Sequence, residues 1–200
     1  MRKYLALTAI LVFATAALAQ HDHGHAAAPK PQMDPAMMEA MMKAGTPGPE
    51  HKMLDGMIGT WNTKLTMWMM PGADPVTGEG ISESKWIFGG RFIEQRFKGS
   101  MMGMPFEGLG YSGYDNVKKQ YFGTWMDSMG TSMMVSTGKM GADGKMTFTG
   151  TMPDPMTGKD APFEERITVI DADHSKFEMW SPGPDGAMYK MMEIAYSRKK

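Results

Sequence analysis

Apolar and polar residues change their spacing near Gly59. Before it, from Pro35 to Ile58, apolar side chains recur at helical intervals; from Thr60 to Lys200 they alternate in steps of two, with Gly, Asn, Asp and Pro breaking the alternation about every ten residues. The second pattern predicts ten strands, near 60–70, 78–88, 91–100, 104–114, 118–127, 130–140, 145–152, 162–171, 174–181 and 187–198. The turns between them have suitable chemistry: Gly89-Gly90, Asp115-Asn116, Asp143-Gly144 and Pro184-Asp185-Gly186 accept the backbone angles that tight hairpins need. Pro71 to Pro75 and Pro153 to Gly158 read as longer polar loops. Ten sequential strands on short connections remove their unpaired edges by closing on themselves. The expectation is therefore an all-β fold, a single antiparallel β-barrel preceded by short helices.

Closure sends alternate residues inward. With Trp61 inside, Thr63, Leu65, Met67 and Met69 follow; the other strands offer Trp86 with Phe88, Tyr121 with Trp125, Phe177 with Met179, and Met188 with Met192. A single bulge would reverse a face. Gly108, Gly110, Gly113 and Gly123 mark places where a coiled sheet has no room for a side chain. Ahead of the barrel, Asp34 caps and Pro35 opens a helix that Gly45, Pro47 and Pro49 end, with Met38, Met41 and Met42 on one face, expected to pack on the barrel or cover its mouth. Glu50 to Ile58 reads as a second helical turn whose stripe, Met53, Leu54, Met57 and Ile58, can plug one end.

The first residues read as targeting sequence. Arg2 and Lys3, an apolar stretch from Leu5 to Leu18 and Ala17-Leu18-Ala19 form a signal peptide cut after Ala19, which places the mature protein in the periplasm or outside the cell. The stretch is short for a bilayer span and no later segment is longer, so no integral membrane segment is expected after cleavage. Residues 20–33 lack the apolar content to fold and read as a disordered His/Ala/Pro tail. The chain thus divides into 1–19, 20–33, the helices of 34–58 and the barrel of 59–200.

Composition narrows the chemistry. There is no cysteine, so disulfides, thiolate metal sites and thiol nucleophiles are excluded. Loss of Arg2 and Lys3 with the leader leaves 19 basic against 22 acidic residues, a formal charge of −3, and nucleic acid is not an expected partner. Methionine is abundant, 26 of 200 residues. Two readings of it stay open: a flexible core filler in place of Leu, Ile and Val, or a soft-metal site in which Met101, Met102 and Met104 bind copper alongside His21, His23 and His25 of the tail. Hydrolase elbows, zinc-protease helices and phosphate-cradling loops are all missing. His174 beside Asp173 reads as a surface turn, and Glu94, Glu107, Asp127, Glu165 and Glu178 read as cross-strand ion pairs with Arg91, Arg96, Lys98 and Arg166.

Gly59-Thr60-Trp61 after a helical turn, with Arg198 at the end of the last strand, resembles the Gly-x-Trp start and closing Arg of the lipocalin-like (calycin) superfamily. That resemblance implies a structural role for Trp61 and Arg198, the Arg lying across the Trp to close the barrel base. More narrowly, Leu54 to Trp61, Gly89-Gly90-Arg91-Phe92-Ile93 and Gly110-Tyr111-Ser112-Gly113-Tyr114-Asp115 resemble the bacterial domain of unknown function 1579, over residues 48–198. The family implies the barrel and no chemistry. The functional expectation is an exported barrel that binds a small apolar molecule against Met67, Trp86, Phe88, Tyr121, Trp125 and Met179. The alternatives are an envelope copper protein and a structural module with a filled interior.

Overall fold

The computed structural model describes residues 34–200; the leader and the His tail fall outside them. Two helices, α1 (Pro35–Gly45) and α2 (Pro49–Lys52), and a 3-10 turn at Asp55–Met57 precede ten strands. These are β1 (Gly59–Met67), β2 (Val76–Ile87), β3 (Phe92–Met101), β4 (Met104–Asp115), β5 (Gln120–Asp127), β6 (Met134–Met140), β7 (Met146–Asp154), β8 (Lys159–Val169), β9 (His174–Pro182) and β10 (Met188–Arg198). Each strand pairs with its chain neighbours and β1 pairs with β10, which closes the barrel. Every pairing is antiparallel.

Local chemistry sets the strand ends. Gly89, Gly90, Gly144 and Gly186 hold positive φ in the turns expected for them. β1 stops at Met67 and not at residue 70, so Met69 lies exposed in the following loop rather than on the inner wall. A register shift between Lys190 and Met192 breaks the β9–β10 ladder; Met191 and Met192 then both reach the interior, while Met188 at the strand start is exposed.

Two apolar layers fill the barrel near its ends. Leu54, Ile93, Tyr121, Met146 and Phe148 form one, with Met57, Ile58, Trp86, Tyr114, Met140 and Ile167 packed on it. Leu65, Phe97, Met101 and Phe106 form the other, joined by Met67, Trp125, Met192 and Ile194. Glycines admit the larger rings. A methyl on Gly108 would lie 2.1 Å from the Trp125 ring, and one on Gly138 2.7 Å from Phe148. Gly80 with Phe97 and Gly150 with Phe163 repeat the arrangement.

The helices meet the barrel unevenly. Met38, Met41 and Met42 do not pack on it: α1 buries no residue, and all three are exposed. The helix is held instead by its last carbonyls, which accept from the Asn116 amide at Ala44 and Thr46 (3.1 and 2.8 Å) and from Arg91 Nε at Gly45 (2.8 Å). The segment behind it does plug that end. Leu54 is 1% exposed and Met57 and Ile58 pack with it, although Met53 turns out to solvent. Tyr121 donates to the Glu50 carbonyl (3.2 Å) and Trp86 Nε1 to Asp55 Oδ1 (2.9 Å). His51 is buried against Tyr114; desolvation holds its pKa below the ordinary value, and its Nδ1 accepts from Gly48 N–H at 3.1 Å.

Trp61 and Arg198 are direct cross-strand partners where the first strand meets the last. The guanidinium carbon lies 4.1 Å from the centre of the buried indole, whose N–H donates to the Met57 carbonyl at 3.1 Å. Arg198 also donates to the carbonyls of Ile58 (2.9 Å) and Ala172 (3.0 Å) and sits 3.4 Å from Asp173. One side chain thereby ties the plug, β1, β10 and the β8–β9 turn. Gly59 leaves room for it: at φ 128° no other residue is comfortable, and a Cβ there would lie 2.5 Å from Arg198 Nη1. Arg198→Ala is expected to cost about 2 kcal/mol, a fall in Tm of roughly 4–8 °C, through the lost cation–π contact and orphaned carbonyls. Gly59→Ala should destabilise in the same direction. A thermal melt of either variant that overlays the wild type would contradict this account.

Candidate functional site

Between and beside the two apolar layers the barrel keeps a cavity of about 340 Å³. It runs from the underside of the plug, at Gly56, Met57 and Trp61, to the opposite end, at Asp127, Met129, Met134 and Met152. That end carries no helix among the described residues. Thioethers supply much of the wall, including Met67, Met101, Met179, Met191 and Met192, with Trp125, Phe97 and Phe106 among the rings. Methionine is unbranched and adapts to irregular shapes, so such a wall conforms to an occupant at little cost in strain.

A polar belt crosses this apolar surface at mid-height. Ser84, Gln95, Ser112, Ser136, Glu165 and Tyr196 come from six strands and all line the cavity. Gln95 sits in step with Ile93 and Phe97 of its own strand, and Glu165 with Phe163 and Ile167. Ser136 donates to Glu165 Oε2 at 2.9 Å, and Gln95 Nε2 donates to Ser82 Oγ at 2.8 Å. Desolvation lifts the Glu165 carboxyl above the usual carboxylate range, with the Ser136 hydrogen bond opposing it. Desolvation pushes the Tyr196 phenol up to about 12 although Gln95 lies in hydrogen-bonding reach, and the Glu165 charge adds to the rise. Both side chains keep some accessible surface, and that surface is cavity wall.

Met67, Trp125 and Met179 line the cavity, whereas Trp86 and Tyr121 pack in the layer under the plug and hydrogen-bond to it. Phe88 is not inside. It sits in the β2–β3 turn at φ 49°, 74% exposed, because β2 ends at Ile87; its ring meets Phe92, which meets Phe122, on the outside of the barrel. Met101, Met102 and Met104 do not gather as one site. Met101 is buried in the cavity wall, Met104 opposite it is exposed, and Met102 occupies the exposed hairpin turn at φ 53°. His21, His23 and His25 lie outside the described residues, among which no three His, Asp or Glu side chains gather to hold a metal. His174 pairs with Asp171 on the surface at 2.9 Å.

Of the five strand carboxylates, Glu107 has an expected cross-strand partner in Lys98, Glu94 takes Arg96 from its own strand, and Glu178 and Asp127 take partners other than those expected. Glu178 meets Lys176, and Asp127 accepts from Trp125 Nε1. Glu165 breaks the pattern, because its neighbour Glu164 takes Arg166 on the outer face. The signal for it was present in β8: Phe163-Glu164-Glu165-Arg166-Ile167 puts Glu165 in step with Phe163 and Ile167 and Glu164 in step with Arg166.

A closed ten-strand antiparallel barrel around a lined cavity, entered by Gly59-Thr60-Trp61 and shut by Arg198, makes this a lipocalin-like barrel. The chain belongs to the family described as Protein of unknown function (DUF1579), which matches residues 46–198. No curated protein gives a significant match. Among solved structures the fold is similar to that of Rv2717c from M. tuberculosis, at 15% identity and a TM-score of 0.53 over 78% of this chain and 100% of that one. It is also similar to the S-type phycobiliprotein lyase CPES from Guillardia theta, at 14% identity and a TM-score of 0.54 over 77% of this chain and 99% of that one. At these identities the likeness is one of fold.

The Glu165 environment carries a stability signature. Because its folded pKa is raised, the group's contribution is complete below the ordinary carboxylate pKa and is lost as pH rises through the folded value. Glu165→Gln should therefore melt with the wild type near pH 4 and above it near pH 8, by about 2–4 °C for each kcal/mol recovered. A Tm difference that does not vary with pH would rule out a buried carboxyl without a counter-charge.

Proposed function

We propose that this protein is an exported binding protein whose barrel holds a small, largely apolar organic molecule. The observation that carries the reading is the cavity itself: about 340 Å³ of space walled largely by thioethers and rings, with a minority of polar groups among them. Sites for small molecules have this composition, apolar for affinity with a few polar groups for orientation. Export rests on the leader pattern of residues 1–19, and among the described residues no helix is long and apolar enough to cross a membrane.

N-phenyl-1-naphthylamine, a neutral dye that brightens in apolar surroundings, tests the binding reading. It should bind the wild type, and Ser112→Phe, which places a ring in the cavity, should weaken it by about tenfold or more, ~1.4 kcal/mol. Phe88→Ser removes the most exposed ring of the outer aromatic patch and should leave the affinity within about twofold. Dye binding lost with Phe88 and kept with Ser112→Phe would move the site to the outer wall and refute an internal one. The export reading has its own check, since the protein recovered from its native envelope should have the mass of a chain beginning at Gln20. An intact leader in that mass would end it.

A further inference from the structure

Glu165 is a carboxyl without a positive partner among the described residues. It stands on the inner face of β8 opposite Phe148 of β7 and Met179 of β9, and its one hydrogen-bond donor is Ser136 of β6. Tyr196 of β10 and Gln95 of β3 complete the polar belt near it, and Tyr196 keeps its proton at any physiological pH. Among the described residues no cation pairs with it. Arg166 turns outward to Glu164 and the Trp180 ring, and Lys176, although it lines the cavity, places its ammonium 3.1 Å from Glu178. An ionised carboxylate accepts through two oxygens, and the one donated hydrogen bond leaves most of that capacity facing the cavity. In an apolar chamber a bare carboxylate is costly, and an entering positive charge relieves that cost. An anionic occupant would add a second negative charge beside it.

We propose that the cavity takes an apolar organic cation, an amine whose protonated nitrogen rests on the Glu165 carboxylate while its hydrocarbon body lies against the methionine and aromatic wall. This rests on the internal site proposed above and names the class of molecule that fills it. Proton bookkeeping closes: the amine arrives already protonated, and any proton that Glu165 holds in the free protein leaves to solvent as the ion pair forms.

Three probes of one shape separate the charge from the body: tryptamine is a cation, 3-ethylindole is neutral and indole-3-propionate is an anion. Each is used to displace N-phenyl-1-naphthylamine from the wild type and from Glu165→Gln near pH 7.5. In the wild type tryptamine should bind at least about tenfold more tightly than 3-ethylindole, with indole-3-propionate weakest. In Glu165→Gln the preference should shrink to within about twofold while 3-ethylindole is unchanged. A second readout needs no variant. Calorimetry in two buffers of different ionisation enthalpy should show proton release with tryptamine that grows as the pH is lowered, and its affinity should fall as the pH drops through the Glu165 titration, whereas that of 3-ethylindole stays level. Equal binding of tryptamine and 3-ethylindole by the wild type, or a preference that survives Glu165→Gln, overturns the cation proposal and leaves the internal site standing. Failure of the dye to bind, or its insensitivity to Ser112→Phe, overturns the internal site and this proposal with it.

Discussion

The pairing of β1 with β10 is the constraint on which the rest of this structure depends. The other strand pairs join chain neighbours through short or moderate loops, and closing them costs little entropy. β1 and β10 are separated by the whole sheet, and their ladder forms last in any order of assembly that proceeds by hairpins. The chain reinforces that seam with its least replaceable side chains. Trp61 is buried on one side of it, Arg198 stacks on the indole from the other, and the same guanidinium takes carbonyls from the plug and from the β8–β9 turn. Closure, plug and seam are thus coupled, so losing one loosens all three.

Closure with ten strands has a geometric consequence. Barrel diameter grows with strand number, and about eight strands already give an interior that side chains can just fill. Two more leave space, which the chain reduces with the plug and two apolar layers and does not eliminate. Polar residues tolerate mid-height because the layers above and below supply the stability. That is why Ser84, Gln95, Ser136 and Glu165 sit inside a chain that has no disulfide to offset their burial. A belt of this kind is a poor choice for a filled structural core and a suitable one for orienting a guest.

Much of the fold was legible in the sequence because it rests on period and punctuation. Alternation from Thr60, turn residues at the β2–β3, β4–β5, β6–β7 and β9–β10 connections, and the Gly-x-Trp and Arg pair all act locally, and the strands fall where those signals put them. Errors arose where a local rule lost to geometry. Phe88 continues the alternation of Trp86, yet the Gly89-Gly90 turn begins one residue early and turns it out. Met188 lost its inward place at the start of β10, where the shift at Lys190 and Met192 changes the faces, and nothing in the sequence marks that bulge. The methionine face of α1 has helical spacing, but the helix docks through its C-terminal carbonyls rather than its side chains. For the site, Met67, Trp125 and Met179 followed from parity. Glu165 was legible by the same parity, in step with Phe163 and Ile167, but reading all the strand carboxylates together as ion pairs passed over it, since it is Glu164 that shares a face with Arg166.

Placement of aromatic bulk explains how a barrel with so many rings keeps an open interior. Phe97, Trp125, Phe148 and Phe163 are inward residues, and any of them standing upright would cross the lumen. Each instead occupies the place where a glycine on the neighbouring strand has no Cβ: Gly80, Gly108, Gly138 and Gly150 in turn. The ring lies down on the sheet and becomes wall. This arrangement covers the exposed backbone of the glycines, supports the tight coiling of the strands, and leaves the lumen to the flexible thioethers. Glycine and aromatic positions on adjacent strands therefore act as units, and the cavity's volume is a property of those pairs more than of any residue that touches the space directly.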